Sequence, residues 1–238
     1  MQCLPRLYAI LDAGCFPDAH AMLAASEGLV AAGLRLIQYR NKSGSARVML
    51  EHARELRRRF PGGQASQASE RHRDPSTSLR TGVGYPMVDH SHRGENPVRL
   101  IMNDRADLCL AAEFDGVHVG QEDLSPEAVR KLIGPDRWLG VSTHNPQQLR
   151  DADLASSDYL AIGPVFATSS KERPDPVVGL EGVRRVRGLT HKPLVAIGGI
   201  TRANAALVIE AGADSVAVIS DLVKDPGKSA EEFFRVLR

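Results

Sequence analysis

The sequence predicts an α/β fold, a single (β/α)8 TIM barrel over residues 1–238, and three observations lead there. Eight short β-rich apolar runs recur along the chain, each ending on a polar or glycine-bearing turn. Helical patterns alternate with them throughout. The ordered length, about 200 residues, is what eight such βα units occupy. A doubly wound open sheet is the alternative, because periodicity alone does not separate eight strands in a ring from eight in a row.

The runs are "LYAIL" (7–11), "RLIQY" (35–39), "VRLIM" (98–102), "GVHV" (116–119), "WLGVS" (138–142), "YLAIG" (159–163), "PLVAI" (193–197) and "SVAVI" (215–219). After the first comes "DAHAMLAASEGLVAAG", with Gly33 where a helix-stopping glycine belongs. Between the fourth and fifth lies "SPEAVRKLIG", with Ser125 as N-cap, Pro126 at the first helical position and Gly134 as stop. One stretch breaks the alternation. Residues 61–97 are rich in Gly, Pro, Ser and charge and almost empty of periodic apolar residues, so they read as a low-complexity, flexible insert between helix 2 and strand 3. His90 and His92 within it lack a Cys or a fixed third partner and read as solvated loop histidines. An insert between a helix and the next strand belongs on the N-terminal face of a barrel, away from the βα loops that carry chemistry.

Hydrophobic residues at 42% and charged residues at 25% suit a globular chain that buries a core and exclude a disordered one. A net charge of +1 provides no global field for nucleic acid or an anionic membrane, so anion binding has to be local. Cys3, Cys15 and Cys109 are odd in number and show no CxxC spacing, which argues against both a disulfide framework and a zinc site. With no positively charged leader before the first apolar run and no stretch near ~18 consecutive apolar residues, the expectation is a cytoplasmic chain with neither signal peptide nor membrane span. The sequence leaves open a homo-oligomer.

In a barrel every strand ends on one face, and the residues there are strongly polar. Strand 2 ends in "IQYRNK": Gln38 and Arg40 share one side of a period-two strand, and Lys42 follows. Snorkelling surface cations are the plain alternative. Asp104 follows strand 3 and Asp123 lies just past strand 4, so neighbouring strands bring two carboxylates to one rim. Such a pair suits Mg2+, which takes one or two protein carboxylates and completes its octahedron with water and substrate phosphate. For Asp104 the competing reading is a helix N-cap for "RADLCLAAEF"; Glu122 reads as a solvated loop acid. Strand 5 places Ser142 and His144 at the mouth, and strand 6 runs into Thr168, Ser169, Ser170 and Lys171, hydroxyls beside an ammonium as a phosphate requires. "AIGGIT" after strand 7 and Ser220 after strand 8 stand where such barrels often cradle phosphate. The inventory fits a Mg2+-dependent enzyme acting on phosphorylated small molecules, and spacing alone does not name the organic group.

The ordered set "Q-x-R-x-K", "NDR", "GVHVGQED", "GVSTH", "GPVF-T-S-K" and "AIGGI" resembles the thiamine-phosphate synthases, over nearly the whole chain apart from 61–97. The resemblance implies a (β/α)8 barrel that joins an aminopyrimidine methyl diphosphate to a thiazole phosphate, carboxylated or not, and releases pyrophosphate. It implies that Gln38, Tyr39, Arg40, Asn41, Lys42 and Asn103 hold the pyrimidine diphosphate, with Asp104 and Asp123 on Mg2+. Ser142 and Lys171 would contact the diphosphate, Thr168, Ser169 and Ser170 the thiazole, and Gly199, Ile219 and Ser220 its phosphate. Arg40, Lys42, Ser142 and Lys171 are then the groups that stabilise the leaving charge. Tyr39, Asn41, Ala167 and Ser170 depart from the family's usual residues, and the last two lean toward the related thiazole tautomerases, which process only the thiazole partner. Retention of Arg40, Lys42, Asn103, Asp104, Gln121 and Asp123 favours the synthase. A non-catalytic paralogue that binds thiamine phosphates is the reading from another class.

Overall fold

A computed structural model of the chain describes residues 4–62, 97–168 and 175–238. Eight parallel strands close into a barrel in sequence order. They are β1 (Leu7–Asp12), β2 (Leu36–Arg40), β3 (Arg99–Asn103), β4 (Gly116–Val119), β5 (Trp138–Thr143), β6 (Tyr159–Ile162), β7 (Leu194–Ile197) and β8 (Ser215–Val218). β8 pairs back onto β1 through Tyr8 and Ala217, which excludes the open sheet. Eight α-helices are seen among the described residues: α1 (Ala19–Ala31), α2 (Ala46–Arg59), α3 (Ala106–Ala111), α4 (Pro126–Ile133), α5 (Pro146–Leu154), α6 (Gly179–Arg187), α7 (Ala205–Glu210) and α8 (Pro226–Val236). None is long and apolar enough to cross a membrane.

The helices start where cap chemistry dictates. Asp18, Ser45, Ser125, Asn145 and Asp225 each accept a hydrogen bond from a backbone N–H three residues on, and the last three are followed by proline at the first helical position. Strand residues of one parity turn outward to pack against the helices, among them Leu7, Ile37, Tyr39, Met102, Val141 and Val216. The other parity fills the lumen with Tyr8, Ile10, Ile101, Tyr159, Ala161, Val195 and Ala217.

On the N-terminal face one device repeats three times. Asp115, Asp158 and Asp214 each stand one residue before an even-numbered strand. Their carboxylates accept the backbone N–H of Leu100, Leu139 and Leu194 on the preceding strand at 2.8, 2.7 and 2.8 Å. The backbone N–H groups of the same aspartates donate in return to the carbonyls of the same leucines. A helix arginine completes each clasp: Arg57 of α2 at 2.7 Å, Arg130 of α4 at 2.6 Å and Arg187 of α6 at 2.8 Å. At the corresponding place before β2 the residue is Arg35, which donates instead to the carbonyls of Val30 and Leu34. The insert joins this same face: the chain leaves α2 at Phe60–Gly62 and returns at Pro97 before β3. The bulk of the insert, with His90 and His92, lies outside the described residues.

The Arg57–Asp115 clasp is the most buried of the three, with side-chain exposures of 14% and 5%. Asp115→Ala should therefore destabilise the protein by about 3–5 kcal/mol, since it leaves the buried Arg57 charge without its counterion and the Leu100 N–H without an acceptor; a fall of less than ~1 kcal/mol in urea denaturation would deny the clasp its structural role. Replacing residues 63–96 with a short Gly/Ser linker should shift stability by about 1 kcal/mol or less, because loop closure entropy varies slowly with length. Loss of the far-ultraviolet dichroism of the barrel would show that the insert is needed for folding.

Candidate active site

The C-terminal rim gathers the polar residues that end the strands. Gln38 and Arg40 lie on the lumen side of β2, and Arg40 is ion-paired with Asp12, its register partner at the end of β1. Asp12 also accepts a hydrogen bond from Gly14 N at 3.1 Å, which holds the carboxylate in place. Tyr39 points the other way. Its hydroxyl meets His52 Nδ1 of α2 at 3.0 Å and accepts from Asn41 Nδ2 at 3.2 Å, while Asn41 Oδ1 accepts from Gly44 N at 2.7 Å. Tyr39 and Asn41 thus shape the turn that presents Arg40 and Lys42. Asn103 ends β3 beside His118 of β4.

Asp104 has a backbone φ of +60°, in the left-handed region that costs a non-glycine residue energy and that Asp and Asn tolerate best. It does not cap the following helix: the N-cap is Arg105, with no side-chain cap bond. Its carboxylate is instead ion-paired with Lys42. Burial raises the Asp104 carboxyl above the ordinary range, Lys42 opposes that, and the adjoining Asp123 carboxylate, in hydrogen-bonding reach, adds to it. Asp123 is fixed by accepting Gly120 N at 2.8 Å. Lys42 answers Asp104, and Asp123 sets a second carboxylate within reach of the first. Such an all-oxygen pair fits a hard divalent cation that keeps most of its remaining ligands as water and phosphate. No group of three or more His, Cys, Asp or Glu stands in metal-binding array among the described residues.

Between these groups the lumen carries a chain of side-chain hydrogen bonds. Gln38 Nε2 donates to Tyr8 Oη at 2.9 Å, Tyr8 Oη meets Tyr159 Oη at 3.1 Å, Tyr159 Oη meets His118 Nδ1 at 3.1 Å, and His118 Nε2 meets Ser142 Oγ at 2.8 Å. Gln121 secures the same strand end by donating to the Ser142 carbonyl at 2.7 Å. Gly140 makes room for the chain: a Cβ there would lie 2.1 Å from Tyr159 Cζ and 2.4 Å from His118 Nδ1. Burial pushes both tyrosine hydroxyls up and the His118 imidazole down to about 4. His118 is therefore neutral at physiological pH.

His144 closes the far side of the mouth, with Nδ1 at 2.6 Å from the Gly163 carbonyl and Nε2 at 3.5 Å from Asp175. Gly199 follows β7 at φ +64°, pressed so closely on the loop after β6 that a Cβ would lie 2.5 Å from the Ala167 carbonyl. This glycine is required by the packing of two rim loops. Ile219 packs against the lumen cluster and Ser220 is exposed at the end of β8. Thr168 is half-buried at the edge of the described residues, and Ser169, Ser170 and Lys171 lie outside them. Sequence reasoning missed Asp12, Tyr8 and Tyr159. The signal was there as polar-tipped or charged residues at lumen parity in strands that parallel packing makes otherwise apolar.

Residues 91–222 match the family model described as thiamine monophosphate synthase. The thiamine-phosphate synthase of Koribacter versatilis (strain Ellin345) is 53% identical over 237 residues, covering 98% of this chain and 96% of that protein. That of Chloroflexus aurantiacus is 39% identical over 218 residues, covering 92% and 85%. Among solved structures, the thiamine phosphate pyrophosphorylase from Pyrococcus furiosus superposes with a TM-score of 0.72 at 29% identity, covering 98% of this chain and 95% of that one.

The neutral His118 has a measurable consequence. Its folded pKa, about 4, lies below the unfolded value of 6.5, so its contribution to stability is fully present above pH 6.5 and is lost as pH falls toward 4. The loss amounts to about 3 kcal/mol. Urea denaturation between pH 7 and 4.5 should show a decline that His118→Gln flattens; equal pH dependence in both proteins would mean that His118 titrates normally.

Proposed function

The chain belongs to the thiamine monophosphate synthase family, and from that premise we propose that it joins 4-amino-2-methyl-5-hydroxymethylpyrimidine diphosphate to a thiazole phosphate, forming thiamine phosphate and pyrophosphate. The observation that carries this reading is the rim cluster of Lys42, Asp104 and Asp123, set beside the Arg40–Asp12 pair and the end of the Gln38–Ser142 chain. Such a grouping answers a diphosphate and a divalent cation together, which processing of the thiazole partner alone does not require.

In the reaction the C–O bond between the pyrimidine methylene and the diphosphate breaks, the electron pair leaves with the diphosphate, and the thiazole nitrogen supplies the pair for the new C–N bond. The pyrimidine methyl cation formed between the two events is stabilised by its own amino-substituted ring. The protein's task is then to stabilise charge on the leaving group. Arg40, Lys42 and Ser142 stand at the rim to meet the diphosphate, and Lys171 is assigned to the same task. Gln38 and Asn103 address the pyrimidine, and Tyr39 and Asn41 support the turn between them. Thr168, Ser169 and Ser170 are assigned to the thiazole, and Gly199, Ile219 and Ser220 to its phosphate. Asp104 and Asp123 would hold Mg2+, which supplies further positive charge to the departing diphosphate when bound. Both substrates are small, highly charged molecules that membranes retain, in keeping with a cytoplasmic enzyme of thiamine biosynthesis.

Protein supplied with both substrates and Mg2+ should release pyrophosphate and form thiamine phosphate. Isomerisation of a carboxylated thiazole phosphate without pyrophosphate release would identify a tautomerase, and binding without turnover a non-catalytic paralogue. Asp104→Asn and Asp123→Asn should each fold normally, since Asn tolerates the left-handed conformation at 104 and can still accept the Gly120 N–H at 123. Turnover should nevertheless fall by on the order of 10². Unchanged turnover in both would remove the carboxylate pair from the mechanism.

A further inference from the structure

The lumen chain has a direction. A side-chain amide nitrogen only donates, so Tyr8 Oη accepts from Gln38 Nε2 at 2.9 Å. Tyr8 must then place its own proton, and the remaining partner is Tyr159 Oη at 3.1 Å. Having accepted there, Tyr159 gives its proton to His118 Nδ1, also at 3.1 Å, which has to be the bare ring nitrogen. A neutral imidazole carries its hydrogen on the other nitrogen, so His118 Nε2–H donates to Ser142 Oγ at 2.8 Å. The Ser142 hydroxyl, having accepted, keeps its own O–H to give. Reversing any link would strand a proton. Tyr8 and Tyr159 are each 1% exposed and Gln38 is 3% exposed, so a stranded proton there would carry the full cost of burial.

We propose that Tyr8, Tyr159 and His118 are positioning residues: anchored by the Gln38 amide, they hold His118 in its Nε2–H tautomer and so present the Ser142 hydroxyl as an outward donor to the departing diphosphate. This rests on the reading of Ser142 as a diphosphate contact. No proton changes hands; the chain orients hydrogen bonds that are already in place when charge develops on the leaving group, where a preorganised donor counts most. It also links the two ends of one substrate, because the Gln38 that meets the pyrimidine sets the polarity of the Ser142 that meets its diphosphate.

The test pairs a spectroscopic with a kinetic measurement. In 15N-labelled wild-type protein, long-range 1H–15N correlation spectra should show His118 protonated on Nε2 and bare on Nδ1. Tyr159→Phe, which removes the donor to Nδ1, should give a mixture of tautomers and lower kcat roughly tenfold, with KM for each substrate changed by less than about twofold. In a Ser142→Ala background the same change should cost nothing further, because the chain then has nothing to aim. Should Tyr159→Phe fail to fold, Tyr8→Phe breaks the chain one link earlier and carries the same expectations. An Nδ1–H tautomer in the wild type overturns the proposal, and so does a loss of kcat as large in the Ser142→Ala background as in the wild type. Unchanged kcat in Ser142→Ala alone would overturn the diphosphate role of Ser142 while leaving the tautomer result standing, which separates the two readings.

Discussion

Ring closure of eight parallel strands in chain order is the constraint from which the rest follows. Once β8 has paired with β1, the interior strand edges are spent on one another, and every strand is obliged to end on the same face. Residues far apart in the chain, such as Asp12, Lys42, Asp104 and Asp123, then meet at one rim. The lumen is narrow, so side chains fill it, and a polar side chain there must find its partner in the same layer. Tyr8 and Tyr159, separated by 151 positions in sequence, do so hydroxyl to hydroxyl. Gly140 is the local concession that lets the Tyr159 and His118 rings meet across β5, tilted by 34° with centroids 5.5 Å apart.

The two ends of the barrel divide stability from chemistry. At the N-terminal end the three aspartate clasps satisfy strand N–H groups, strand carbonyls and helix arginines at once, and each carboxylate meets a guanidinium of its own. At the C-terminal end the balance is left incomplete. Asp104 pairs with Lys42 while the Asp123 carboxylate adjoins it, Asp104 is held at a left-handed φ, and burial penalises its charge. Such a rim is stable only because the opposite end and the helical layer over-determine the backbone beneath it, and its unspent charge is what a metal and a diphosphate would complete.

The fold was legible because its signals are local. Strand runs and proline-marked helix starts place the elements to within a residue or two, since period and cap chemistry act over a few neighbours. The rim carboxylates and cations were legible for a related reason: a strand that stops on polar residues announces its end. What escaped was what depends on non-local pairing. Asp12 reads as the end of an apolar run until Arg40 is seen opposite it, and Tyr8 and Tyr159 pass for core aromatics until their hydroxyls are placed. For Asp104 the sequence left two roles open. The backbone puts the N-cap at Arg105 and the Asp104 carboxylate on Lys42, which sets the capping role aside, and neither feature is visible in a string of letters.

The residues at 39 and 41 show how a departure from a family's usual pattern can leave a site intact. Taken singly, a tyrosine and an asparagine at the end of β2 look like losses. In the folded chain they answer each other: Asn41 closes the turn by accepting from Ser43 N and Gly44 N, donates to Tyr39 Oη, and Tyr39 is anchored to His52 on the helix behind. The chain of bonds runs outward from the barrel, so it leaves Arg40 and Lys42 on the rim and ties the turn that carries them to α2. With the turn held from behind, little conformational entropy remains to be lost there when an anion is bound, and the cations reach their partners already in place.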